Sequence, residues 1–168
     1  FPHPVLGNRD DVLVGEFKSE LSVTSGDFNF TITHKASVDN PTIKNLLESE
    51  MATFVMHVEC GSTLFRKSFR HNRAMESIRI STDDLRENVE VNTLIVATTR
   101  IDEFSIVGAN SDYGDSSFEI LPGEILSIGK SIKFYAEKKY DDLKKISSIM
   151  QIMKSEEDGD FPMRIRYD

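Results

Sequence analysis

A two-residue rhythm of apolar and polar side chains restricts the fold of this chain more than any other feature. Phe17, Leu21 and Val23 alternate with Lys18, Glu20, Ser22 and Thr24; beyond Ser25-Gly26, Phe28, Phe30 and Ile32 alternate with Asn29, Thr31 and Thr33. Successive side chains of a strand face opposite ways, so this rhythm describes strands with one buried face. A two-residue Ser25-Gly26 loop pairs Val23 with Phe28 and Leu21 with Phe30, apolar against apolar. A three-residue loop sets Val23 against Asn29, so the pattern favours the shorter turn.

A second hairpin follows. Phe54, Met56, Val58 and Cys60 alternate with Val55, His57 and Glu59, Gly61-Ser62 offers a turn, and 63–70 returns. The tight turn predicts Cys60 opposite Thr63, Val58 opposite Phe65, Met56 opposite Lys67 and Phe54 opposite Phe69. The other face then pairs Glu59 with Leu64, His57 with Arg66, Val55 with Ser68 and Thr53 with Arg70.

Further strands are expected at 75–80, at 89–99 (the most apolar, hence central, with a slip in its alternation near Thr93), at 101–107, and at 118–121 and 125–135 around the turn pair Pro122-Gly123. Helical signals are fewer. Asn40-Pro41 is a cap followed by a proline tolerated in the first turn, and Ile43, Leu46, Leu47 and Met51 share a stripe, which predicts a docking helix over about 41–51. Leu143, Ile146, Ile149, Met150 and Met153 predict a longer amphipathic helix over about 140–154. The expected class is therefore α+β and β-rich: a twisted antiparallel sheet or β-sandwich built from hairpins. Residues 1–15, with Pro2, Pro4, Gly7 and Gly15, read as an extended arm, and 16–168 as a single domain. The alternating segment 161–168 stops without a turn or polar tail, which suggests a fragment of a longer protein.

Composition narrows the function. The 168 residues are 39 % hydrophobic and 29 % charged, enough to bury a core. The lone Cys60 excludes an internal disulfide, and a formal net charge of −8 argues against a general coat for duplex nucleic acid. No apolar run is long enough for a transmembrane helix and no signal peptide is visible, so no membrane partner and a cytoplasmic location are expected.

The charge is unevenly spread. Between 66 and 79, five of 14 residues are Lys or Arg against one acid. With His57 and Glu59 on the facing strand, His57, Glu59, Arg66, Arg70, His71 and Arg73 form a candidate surface for an anionic group or a protein partner. The plainer reading is a solvated sheet face whose cross-strand pairs contribute little. Phe65 and Phe69 interleave on the opposite face, which disfavours nucleic acid.

Catalytic patterns are weak. His57 and Cys60 lie on opposite faces of one strand, so the thiol is expected to be buried and inert. The four histidines show no metal-ligand spacing, and Asp112-Tyr113-Gly114-Asp115 lacks the acid a calcium loop needs at its twelfth position, which is Gly123. Glu16-Phe17-Lys18 has a nuclease-like order but no acid on a preceding strand. The chain contains no phosphate-binding glycine loop.

No catalytic residue, metal or cofactor is assigned. The expectation is a non-enzymatic binding or assembly module that uses the basic patch, with Phe1, Val5 and Leu6 packing on a neighbour or in self-association. The alternatives are a metal-dependent hydrolase or nuclease with an unrecognised acidic site, and a small-ligand-binding β-sandwich.

Overall fold

A computed structural model describes residues 1–136 and the backbone of 163–165. The described chain is mostly β. Strands β1 (Phe17–Ser25) and β2 (Asn29–Val38) precede helix α1 (Pro41–Glu48). Then come β3 (Ala52–Cys60), β4 (Phe65–His71), β5 (Met75–Ser81), β6 (Glu87–Ala97), β7 (Ile101–Phe104), β8 (Phe118–Ile120), β9 (Ile125–Ala136) and β10 (Met163–Ile165). They form sheets in the orders β1-β2-β5, β10-β9-β6-β3-β4 and β7-β8, all antiparallel except the β10–β9 pair. The amphipathic helix expected at 140–154 lies outside the described residues.

The two larger sheets face each other. One buried cluster draws Val23, Phe30, Ile32 and Ile80 from the first, and Met56, Val58, Cys60, Val89, Val91, Ile132 and Phe134 from the second. A second cluster joins Phe17, Phe54 and Ile95 to Ile43 of α1, Leu6 of the arm, and Phe104 and Ile120 of the small sheet. Thus the alternation assigns the faces correctly: Phe54, Met56, Val58 and Cys60 are buried, while His57 and Glu59 point outward, partly exposed.

Both hairpin registers differ from expectation. Val23 lies opposite Ile32 and Ser25 opposite Phe30, so 26–28 becomes the loop and Phe28 projects from its tip, 79 % exposed. On its other edge β2 pairs with β5, which sets Phe30 beside Ile80. In the second hairpin Cys60 faces Phe65, Glu59 faces Arg66 and His57 faces Ser68. The turn is longer than predicted because 61–64 is held by Ser62 and Thr63, whose hydroxyls donate to Glu87 and to the Asp84 carbonyl. Leu64 adopts a left-handed φ of 58° there.

β6 is central, paired on both sides. The irregularity expected near Thr93 falls there, but the extra residue belongs to β9: Asn92 pairs with Ser131 and Leu94 with Ile128. Gly129 occupies this bulge because a Cβ would stand 2.5 Å from both Phe17 Cε1 and Thr93 Oγ1. α1 starts as predicted. Asn40 Oδ1 accepts from the amides of Thr42 (3.0 Å) and Ile43 (3.3 Å).

The arm packs on its own domain. Leu6 pairs in parallel with β9, its amide donating to Leu126 O (3.1 Å) and its carbonyl accepting from the Ile128 amide (2.8 Å). Val5 and Leu6 are buried, leaving Phe1 exposed among the three residues expected to contact a neighbour.

Candidate functional site

β3 and β4 bring His57, Glu59, Arg66 and Arg70 to one outward face, but the shifted register changes who meets whom. Glu59 Oε1 accepts from His57 Nε2 (2.7 Å) and from Arg66 Nε (2.8 Å), with Arg66 Nη2 also at 2.8 Å. His57 Nδ1 lies 2.7 Å from Ser68 Oγ. The hydrogen bond from His57, reinforced by Arg66, holds the Glu59 carboxyl below its usual range. Arg66 remains widely exposed, so this cluster fixes side-chain directions more than it stabilises the fold.

Arg70 lies opposite Val55 on the same face, and Arg73 follows in the connection to β5. Neither makes an ion pair among the described residues. β4 is the terminal strand of its sheet, so its outer backbone groups have no described strand to pair with. Lys67 sits on this edge 5.1 Å from the centre of the Phe69 ring. Among the described residues the edge is thus open, and it carries Arg66, Lys67 and Arg70.

His71 does not belong to that surface. Its place in β4 turns it inward, opposite Phe54, where it is buried. There it belongs to a polar chain that sequence reasoning missed. His71 Nδ1 lies 2.9 Å from Arg73 O, and His71 Nε2 lies 2.9 Å from His34 Nδ1. His34 Nε2 lies 2.8 Å from Ser19 Oγ; Ser19 donates to Thr93 Oγ1 (2.8 Å), and Thr93 donates to Lys130 O (2.7 Å). Burial, aided by His71, lowers the His34 pKa to about 4; burial also lowers that of His71, against the opposing pull of the Arg73 carbonyl and Glu76. The available signal was positional: Ser19 shares the inward parity of Phe17 and Val23, and His34 that of Phe30 and Ile32.

A serine, a histidine and a second histidine in line have the spacing of a nucleophile, a base and an orienting group. Here the hydroxyl proton is committed to Thr93, and both Ser19 and His34 are buried. A shallow groove of about 250 Å³ lies elsewhere, lined by residues including Pro41, Thr42 and Leu46 of α1 and Glu103, Phe104 and Val107. Ser19, His34, His71 and Thr93 do not line it. Among the described residues no group of three or more His, Cys, Asp or Glu side chains could hold a metal ion. Cys60 is buried, its thiol donating to Arg86 O at 3.1 Å.

Comparison with protein-family models, with curated proteins and with solved structures finds no match to this chain.

Proposed function

We propose that the chain is a non-enzymatic binding or assembly module that receives an acidic partner segment along β4. One observation carries the reading: a strand edge that is open among the described residues, in a chain of net charge −8, bears Arg66, Lys67 and Arg70 and ends beside Arg73. Such an edge supplies backbone groups for strand addition, and its cations favour carboxylates on the incoming segment. The Glu59 contact pre-orients Arg66, while Arg70 and Arg73 keep their charge for the partner. The partner is therefore an extended, acidic stretch of protein, from another chain or from a second copy of this one.

The test uses a fluorescent peptide of alternating Glu and Val, with a Lys and Val peptide as control. The acidic peptide is expected to bind, to weaken as salt rises, and to bind several-fold more weakly to Arg66→Ala and Arg70→Ala variants that keep their fold. Equal binding of both peptides, or variants that bind like the parent, overturns the reading. Sedimentation of the unliganded chain distinguishes self-association from capture of a different partner.

A further inference from the structure

The buried polar chain ends in a carbonyl oxygen on both sides, Arg73 at one and Lys130 at the other. A carbonyl oxygen accepts and never donates. Five contacts lie between those ends, each 2.7 to 2.9 Å long. Each needs one proton. With both imidazoles neutral, the four side chains bring four: one on each hydroxyl and one on each ring.

The shortfall can be followed from either end. Thr93 must donate to Lys130 O, so Ser19 donates to Thr93, and Ser19 then has to accept from His34 Nε2. From the other end, His71 Nδ1 must donate to Arg73 O. Two bare nitrogens, His34 Nδ1 and His71 Nε2, are left facing each other at 2.9 Å. Other tautomers only move the gap along the chain. A fifth proton closes every contact, and a sixth sets N–H against N–H.

We infer that His34 and His71 together form a buried site for one proton, which completes a hydrogen-bonded tie between the two large sheets. The tie runs from β4 to β2 and β1 and back to β6 and β9, crossing the interface twice. Its surroundings are defined. β1 contributes Ser19 and the Phe17 ring, β3 the Phe54 ring, β6 Thr93 and β9 the Lys130 carbonyl. From β5, Glu76 lies opposite His34 in the strand register, and its charge favours a proton on His71. Burial opposes the charge, so the site fills below the range of an exposed imidazole. Acidification therefore exchanges a neutral chain with one gap for a charged chain with none.

The test is a titration of the ¹⁵N-labelled full chain, following the imidazole nitrogens from about pH 8 to about pH 4, the span around the ordinary histidine value. His34 and His71 are expected to titrate together, with one shared midpoint below that value and one proton taken up in total. Ser19→Ala and Thr93→Val supply the second arm. Without either oxygen, a neutral pair satisfies every remaining contact, so each variant should lower the midpoint by about one pH unit, a tenfold loss in proton affinity. Two separate midpoints with two protons, no uptake before unfolding, or an unchanged midpoint in the variants overturns the inference. If one variant fails to fold, the other and the parent titration still decide it.

Discussion

Replacing Asn40 tests how the arm, the helix and the loop after β7 are held together. Its side chain is fully buried where the three meet. Oδ1 caps α1 through the Thr42 and Ile43 amides, while Nδ2 donates to Val14 O at 2.8 Å and to Val107 O at 2.9 Å. Asn40→Ala removes the cap, about 1 kcal/mol, and leaves two carbonyls without their donor, about 1 kcal/mol each. The expected loss is roughly 3 kcal/mol, or about 6–12 °C in Tm for a domain of this size. Asn40→Ser separates the parts, because serine still caps the helix but reaches neither carbonyl, and should recover about 1 kcal/mol. Urea unfolding followed by far-UV circular dichroism measures both variants. A loss below ~1 kcal/mol for Asn40→Ala, or no difference between the two variants, refutes the reasoning.

Three further outcomes are expected. Leu64→Gly should stabilise by about 0.5–1 kcal/mol, because glycine takes the left-handed backbone without strain and the leucine side chain, 89 % exposed, contributes no burial; chemical denaturation reads this directly. Gly129→Ala should destabilise by about 1–3 kcal/mol through overpacking, because Phe17 and Thr93 occupy the space of the new methyl group; its thermal melt should fall accordingly. Stability should also depend on acid. The His34 pKa is about 4 in the folded chain against 6.5 unfolded, so the unfolded chain binds more protons between those values. The contribution is intact above about pH 6.5 and is lost as pH falls towards about 4, with a slope of at most about 1.4 kcal/mol per pH unit for one proton. Urea midpoints across that range that do not fall contradict it.

The alternation disclosed which way side chains face but not which residues lie opposite one another. A strand slipped by two or four residues keeps the same faces, so both Phe28 and Ile32 satisfied the rule as partners of Val23, and the alternation alone does not separate them. The same ambiguity moved Arg66 from His57 to Glu59. Helix α1 was legible because its cap and stripe are local. The patch was legible as composition, and its inward-turned member, His71, follows from the parity that places Phe65 and Phe69 on the inner face. The His34 chain was not legible, because its contacts span 15, 37 and 74 residues of sequence.

The arm's pairing with β9 has a consequence for assembly. Leu6 lies against Leu126–Ile128, and β10 lies along Phe134–Ala136 on that same side of the strand. The far side of this sheet is thus occupied at both ends of β9, while β4 offers its open edge among the described residues; β1 and β5 are the terminal strands of the other large sheet. A sheet that is adhesive on two sides can add copies without limit; one adhesive on a single side can pair once and stop. Among the described residues, then, strand addition to this five-stranded sheet has one open side, β4, and would stop after a single partner strand there.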